Sequence, residues 1–335
     1  MAKDMTSGKP LKLIWNFTIP LLIGNLFQQL YNMADTFIVG RTIGVQALAA
    51  VGSTGSIVFL IIGFATGLTA GLAIPLAQRF GAKDYKGVKH SFYVSILISI
   101  AVAIVLTALS MIFCRQILEI MQTPSEIIDG AYDYLIVIFG GIFSSMAYNL
   151  LSNIFRSIGD AKTPLYFLVM ACVMNIILDI VFIAVFGMGV EGAGYATVLS
   201  QIFSAVACVV YIWKKIPVLR LTKEDLVATK RNIREHCRIS FPMAFQASII
   251  AIGTIMVQIA LNQLGPTSVA AHTAAQKIDQ LAILPMMSFG VTMATYSAQN
   301  FGAKKYDRIW LGVRECIKLS LTFAIVVGII LNLFS

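Results

Sequence analysis

The chain has 335 residues, of which 58% are hydrophobic and only 12% are charged, and its mean hydropathy is +0.83. Soluble domains carry about 25% charged residues, so this composition excludes a protein with a large catalytic domain in water, as well as a disordered or collagen-like chain. The formal net charge of +9 does not indicate nucleic-acid binding, because basic residues in so apolar a chain act as membrane-topology signals.

Nine apolar stretches are long enough to be membrane-spanning helices, each of which needs about 20 residues. In chain order they cover 14–39, 48–76, 91–113, 131–155, 164–186, 193–213, 239–263, 269–297 and 314–334. Of the 25 Lys and Arg residues, only Arg41, Arg115 and Lys277 fall outside the N-terminal segment and the loops after the even-numbered spans, counted with their flanks. This asymmetry predicts a multi-pass protein of the cell membrane whose N-terminus is cytoplasmic.

One long polar segment, 214–238, separates the first six spans from the last three. Such a charged stretch is typical of a solvated connection, and its amphipathic pattern also suits a surface of anionic lipid. We therefore predict a first six-helix lobe over 1–213, a cytoplasmic linker over 214–238 and part of a second lobe over 239–335.

An internal repeat relates the two lobes. The segment Ala77–Tyr85 (AQRFGAKDY) recurs 221 residues later as Ala298–Tyr306 (AQNFGAKKY), and Pro20 pairs with Pro242 at an offset one residue longer. An even number of spans separates the copies, so the repeats are parallel and related by an axis along the membrane normal. The predicted fold is an all-α polytopic membrane protein with two parallel-repeat lobes and nine of an expected twelve helices. The other three are expected in a longer chain.

Further motifs accompany the repeat. They are IP followed by NxxxQ within 19–29, FRSxGDxKxP over 155–164 and GVxGAG over 189–194. Together with the repeated AQxFGAK, they make the whole chain resemble the multidrug and toxic compound extrusion (MATE) family. The resemblance implies a pump in which two six-helix lobes rock about a central cavity. It also implies exchange of organic cations for H+ or Na+, with no other cofactor.

Four charged residues lie well within a span, where a charge costs about 2.5–3.5 kcal/mol on insertion scales and therefore indicates function. They are Asp35, Asp179, Lys277 and Asp279. Asn175 lies one helical turn before Asp179 on the same face, and Thr197 can meet both from the next span. Two neighbouring carboxyl groups in a low dielectric can hold a proton near neutral pH and release it when a cation approaches.

The predicted cation-coupling residues are accordingly Asp35, Asn175, Asp179 and Thr197, with H+ as the ion or Na+ bound at Asp35 and Asp179. The resemblance adds that these four match a cation-binding cluster of the family, where protonation bends the first helix. Two structural interpretations stay open at this stage. Asp179 can be a buried acid satisfied for packing alone, and Asp35 can lie at the outer interface beside Arg41.

Polar residues spaced by three and four along the first span place a polar stripe on the same side as Asp35. The predicted cavity-lining residues are Asn25, Gln28, Gln29, Asn32, Asn153 and Asp279. A structural role is as well supported as substrate contact for Asp279. Pro20 and Pro242 are predicted helix kinks, because proline removes a backbone hydrogen bond.

Cation-coupled efflux of organic cations is the first hypothesis, because the spans hold acids without partner bases. The alternative is a lipid-linked oligosaccharide flippase of related two-lobe architecture, which needs cavity bases for a pyrophosphate and has only Lys277. An enzyme is not expected, because HExxH, GxSxG and clustered His are absent, and the five cysteines form no CxxC or metal motif. The expected partners are organic cations and the lipid bilayer, not nucleic acid.

Overall fold

The structure is a computed structural model that describes the backbone of residues 3–263 and 266–334. Side chains are described in the same ranges, apart from those of residues 255, 258, 259, 261–271, 273–281 and 330–334. Within these ranges the chain forms helices and no strands. In chain order the α-helices are α1 (Pro10–Thr42), α2 (Val45–Ser53), α3 (Gly55–Gly81), α4 (Tyr85–Ile112), α5 (Cys114–Ile120), α6 (Ile128–Gly140), α7 (Ile142–Ser157), α8 (Lys162–Asp179), α9 (Val190–Lys215), α10 (Lys230–Gln263), α11 (Pro266–Gly302) and α12 (Tyr306–Phe334).

Five of these helices are long and apolar enough to cross a membrane, judged on the described residues. They are α1, α3, α4, α9, and α8 extended by the π-helical segment Ile180–Val185; the bent pair α6 and α7 makes a sixth. These six correspond to the six spans predicted before the linker. Helices α10, α11 and α12 occupy the positions of the last three predicted spans. The all-α membrane fold is thus confirmed.

The structure corrects two of the predicted spans. The predicted span 48–76 is broken, because α2 ends at Ser53 and α3 begins at Gly55. The predicted span 131–155 bends by 48° where α6 passes into α7. Within the predicted linker 214–238, α9 continues to Lys215 and α10 begins at Lys230. The assignment of the chain to two lobes remains a prediction.

The internal repeat is visible in how the helices pack. Helix α3 packs against α10, and α1 packs against α11. Because the repeat pairs α1 with α10 and α3 with α11, these two contacts correspond to each other. Small residues make the first one close: a Cβ on Gly67 would lie 2.5 Å from the backbone oxygen of Met243, and Gly71 lies equally tight against Ser240.

The two copies of the repeated motif contact each other at one end of the bundle, which we call the basal end: the end where α1 begins and where α3 and α11 finish. Gly81 of the first copy lies against the carbonyl of Gln299 in the second. Reciprocally, Gly302 of the second copy lies against the carbonyl of Gln78. Neither glycine has room for a Cβ, so the backbones of α3 and α11 meet directly.

The N-terminal segment, residues 3–8, is inserted into this basal contact. The Met5 amide donates to Gln299 Oε1 at 2.9 Å, and Gln299 Nε2 donates to the Ser157 carbonyl at 2.8 Å. Lys305 Nζ donates to the Thr6 carbonyl at 2.8 Å. Met5 is only 1% exposed, so the segment is part of the packed interior and joins α7 to α11.

An ion pair adds a polar contact at the same end. Arg79 Nη2 of α3 lies 3.0 Å from Glu235 Oε2 of α10, and the same guanidinium donates to the Gly87 carbonyl at 3.2 Å. Their side chains are 18% and 40% exposed. The pair therefore connects helices that the repeat places in different halves of the molecule.

Candidate functional site

Two acidic side chains meet between α1 and α8. The carboxyl groups of Asp35 and Asp179 lie close enough to interact with each other. Each has one buried oxygen, Oδ1, that no N–H or O–H group of the described residues reaches. Ionised carboxylates only accept hydrogen bonds, so a proton on one of the two carboxyl groups would supply a donor between them. Two neighbouring acids of this kind are able to share a single proton.

Asn175 and Thr197 complete this cluster. With its amide oriented to satisfy both neighbours, Asn175 donates from Nδ2 to Asp179 Oδ2 at 2.9 Å and accepts at Oδ1 from the Thr197 amide at 3.1 Å. Asn175 and Asp179 are both fully buried. The structure thus brings together all four residues for which the sequence predicts cation coupling, although their role in coupling remains a prediction.

Tyr31 is a member of the cluster that sequence analysis missed. Its hydroxyl is hydrogen-bonded to Thr197 Oγ1 at 2.9 Å, which ties α1 to α9. It lies four residues before Asp35, and the spacing of one helical turn was a usable signal for a shared face. A tyrosine ring also suits an apolar surface, so the residue type alone does not mark Tyr31 as polar.

A change of helix type positions Asp179. Helix α8 ends at this residue, and the chain continues as a π-helix over Ile180–Val185. Ile183 of the π-helix packs with Val39 of α1 and Ala193 of α9 as a small apolar core beside the acids. π-Helical segments are rare and concentrate at functional sites. Here the wider turn lets the chain bring both the acid and its apolar cover against α1.

The predicted cavity-lining residues occupy several environments. Asn25 Nδ2 donates to Ser288 Oγ of α11 at 2.9 Å, so it joins α1 to α11. On the same helix, Gln28 and Asn32 are exposed and Gln29 is half-buried. Asn153 does not belong to this stripe, since it lies on α7. The side chain of Asp279 lies outside the described residues. Helices α1 and α10 run continuously through Pro20 and Pro242, and the predicted kinks remain untested.

A small cavity of about 170 Å³ lies between α3, α7, α10 and α11, and it contains a base that sequence analysis overlooked. Asn153 and Arg156 both line it, and Arg156 Nη1 donates to Asn153 Oδ1 at 3.2 Å. Arg156 Nε is buried without a hydrogen-bond partner among the described residues. The position of Arg156 at the end of a span also fits a topology signal, so the sequence alone does not mark it as a cavity residue. The cavity thus contains a partly buried cation.

The cluster offers oxygen atoms as its ligands for a cation. The carboxylates of Asp35 and Asp179 and the carbonyl of Asn175 are hard donors of the kind that H+ or an alkali cation accepts. No group of three or more His, Cys, Asp or Glu side chains within the described ranges is arranged to hold a metal ion. The arrangement suits a proton shared by two acids, with the side-chain amide of Asn175 and the hydroxyl of Thr197 beside them.

The MatE family model matches residues 20–181 and again 242–335, and these matches begin 222 residues apart, as Pro20 and Pro242 do. The "Probable multidrug resistance protein YpnP" of Bacillus subtilis is 30% identical over 92% of this chain and 69% of its own length. The "Probable multidrug resistance protein YoeA" of the same organism is 28% identical over 99% of this chain and 74% of its own length.

A solved structure titled "Outward-facing conformation of a multidrug resistance MATE family transporter of the MOP superfamily" superimposes with a TM-score of 0.92 at 26% identity. The superposition covers 99% of this chain and 74% of that one. Sequence motifs, the parallel repeat and the fold thus agree with one another, and the resemblance found in the sequence is confirmed. The chain belongs to the MatE family of membrane transporters.

Proposed function

We propose that this chain is a multidrug efflux transporter that exports organic cations in exchange for protons. The neighbouring acids Asp35 and Asp179 carry the proposal, because such a pair binds and releases one proton as its surroundings change. The names of the two Bacillus relatives support multidrug export. The basal end is proposed to face the cytoplasm of a cell membrane, in keeping with the distribution of Lys and Arg.

The proposed coupling works through α1. While the pair holds a proton, the shared hydrogen bond keeps α1 against α8. Loss of that proton leaves two like charges in contact, which repel strongly where water is excluded, so α1 moves away from α8. Helix α1 is also bonded to α11 by Thr18 and Thr292, whose hydroxyl oxygens are 2.8 Å apart. Displacement of α1 therefore reaches the second half of the molecule.

The proposal is tested by efflux of a fluorescent lipophilic cation from bacterial cells that lack their own pumps. Asp179→Asn keeps the shape of the side chain and removes the titrating charge. Asp133→Asn is the matched control, because this carboxylate lies on α6 and is exposed. We expect efflux by the parent and the control, and its loss in Asp179→Asn. Equal efflux by all three proteins would refute the role of the acid pair.

The coupling ion is identified in everted membrane vesicles under an imposed proton gradient or an imposed sodium gradient. Uptake driven by the proton gradient alone is the expected result. Uptake driven only by the sodium gradient would indicate that the same oxygens bind Na+ instead of a proton, and it would refute the shared-proton mechanism. Asp179→Asn serves again as the inactive reference.

Export of organic anions is a second candidate, and Arg156 is the observation that favours it. A guanidinium that faces a cavity and has a buried, unpartnered Nε–H can bind a carboxylate or phosphate. The same efflux assay with an anionic dye separates the two cargo classes. Anion export that is lost in Arg156→Gln would favour the second candidate, and export of the cation alone would favour the first.

A further inference from the structure

An apolar groove of about 550 Å³ opens on the side of the molecule, away from the acid cluster. It lies between α4, α7, α9 and the connection that follows α9, and Ser99, Arg220 and Thr222 are the polar residues in its lining. Phe92 and Met146, which are 5% and 1% exposed, form part of its walls. The volume is within the range of about 300–1,000 Å³ that is typical of ligand sites.

The length of the groove matches one leaflet of a bilayer. Its lining on α4 extends from Phe92 to Ala103, about 16 Å at a rise of about 1.5 Å per residue. The hydrocarbon core of a bilayer is about 30 Å thick, so one leaflet supplies about 15 Å. Phe143 lines the groove on α7, next to the bend after α6, and the other end reaches the basal connection. An acyl chain fits this geometry.

The basal mouth of the groove is positively charged. The exposed Arg220 donates from Nη2 to the carbonyl of Lys214 at 3.1 Å, which holds its guanidinium over the end of α9. Lys214 and Lys215 form the last turn of that helix. Arg220 lines the mouth itself, and the two lysines add positive charge at the adjoining end of α9. The apolar lining thus suits the acyl chain of an anionic phospholipid, and the basic mouth suits its phosphate.

The connection that carries Arg220 is fixed in place. Asp225 Oδ2 accepts from the hydroxyl and amide of Thr222, at 2.6 and 2.8 Å, and from Lys89 Nζ at 3.1 Å. These bonds, led by the Thr222 hydroxyl, lower the pKa of Asp225 to about 2. Leu219, 1% exposed, packs beneath as part of the groove lining. Asp225 therefore stays ionised and paired, and it does not compete for Arg220.

We propose that this groove binds one acyl chain of an anionic phospholipid of the cytoplasmic leaflet, with the lipid phosphate held by Arg220. Basic pockets between membrane helices at the cytoplasmic side are known to select anionic head groups. The leaflet assignment rests on the proposed orientation of the basal end. The selectivity of the groove does not, because it depends only on the groove and its mouth.

Trp213 lines the groove and reports on its occupant. The chain has three Trp residues, so Trp15→Phe with Trp310→Phe leaves Trp213 as the only tryptophan. We would reconstitute this protein in phosphatidylcholine vesicles and measure quenching by phosphatidylglycerol or phosphatidylcholine with brominated acyl chains. Phosphatidylglycerol should reach half-maximal quenching at about a fivefold lower mole fraction, the effect expected of one basic residue. Half-maximal quenching at the same mole fraction of phosphatidylglycerol and phosphatidylcholine would overturn the proposal.

Matched variants separate a site from the general surface charge. The ratio of interest is the half-maximal mole fraction of phosphatidylcholine divided by that of phosphatidylglycerol. Arg220→Gln should bring this ratio close to one, and Arg220→Lys should keep most of the preference for phosphatidylglycerol. Arg231→Gln removes an exposed charge at the start of α10, away from the groove, and should leave the ratio unchanged. Ala147→Phe, which fills the groove from α7, should weaken quenching by phosphatidylglycerol. Equal losses in Arg231→Gln and Arg220→Gln, or no effect of Ala147→Phe, would overturn the proposal.

The orientation is checked separately by labelling Lys223→Cys in intact cells with a membrane-impermeant thiol reagent. Protection until the cells are opened supports the cytoplasmic assignment. Labelling from outside would overturn the leaflet assignment and the proposed topology. It would leave the vesicle measurement valid, because both leaflets of those vesicles have the same composition.

Discussion

A single methyl group added at Gly302 should separate the two copies of the repeated motif. In Gly302→Ala, the new Cβ would overlap the backbone carbonyl of Gln78. Contacts of this kind under 3.0 Å are essentially never made by real Cβ atoms, and a carbonyl in a helix cannot rotate away as a side chain can. The ends of α3 and α11 must therefore move apart.

The cost follows from the packing. Inserting a methyl group into a close-packed contact costs about 1–3 kcal/mol in strain or displacement. A cost of that size, if it falls on this conformation alone, shifts an equilibrium between two conformations about 5–150-fold. We therefore expect Gly302→Ala to favour a state in which the basal end is open, with the helices themselves intact.

The assay measures the distance between spin labels at Lys86→Cys and Asp307→Cys, two exposed positions that the repeat relates. Gly302→Ala should move the distance distribution to longer values. Gly290→Ala is the control, because Gly290 lies on the same helix and has open space around the position of a Cβ. An unchanged distribution in Gly302→Ala, or the same shift in Gly290→Ala, would show that the glycine contact does not hold the basal end closed.

Three further outcomes are expected. Gln299→Ala leaves two buried backbone groups unpaired, at about 1–3 kcal/mol each, so amide exchange over residues 3–8 should accelerate at least fivefold. Glu235→Gln removes a partly exposed ion pair with Arg79 worth about 0.2–1 kcal/mol, and the spin-label distances should change little. Because the pKa of Asp225 is lowered, its ionised form stabilises the connection after α9 at every pH above the ordinary pKa of 3.8. This stabilisation is lost as the pH falls through about 2. Fluorescence from Trp213 should therefore stay constant from pH 8 to about 4 and change only below that.

Periodicity and composition predicted the parts of the fold that depend on average properties. Spans in the first lobe were found because each holds a long apolar stretch, but a hydropathy window averages over short interruptions. It therefore missed the break at Thr54 between α2 and α3, and the bend between α6 and α7. The bend has no proline, and only the adjacent Gly140 and Gly141 mark it in the sequence.

The acid cluster was predictable because its members follow helical spacing and because charge is rare within a span. Asn175 and Asp179 share a face by spacing alone, whereas the meeting of Asp35 with Asp179 required the packing of α1 on α8. Arg156 was missed because its position at the end of a span gave it a sufficient explanation as a topology signal. The repeat was also visible in the sequence, but direct contact between its two copies was not.

The insertion of residues 3–8 beneath Gln299 has a consequence for biosynthesis. The Met5 amide and its acceptor are 294 residues apart in the chain, so this segment obtains its partner only after α11 has been made. At about 5–20 residues per second, that interval is about 15–60 s. During this time Met5 and Thr6 have no docking site on α11, and they are open to proteases and chaperones. A helix synthesised much later thus fixes the place of residues 3–8.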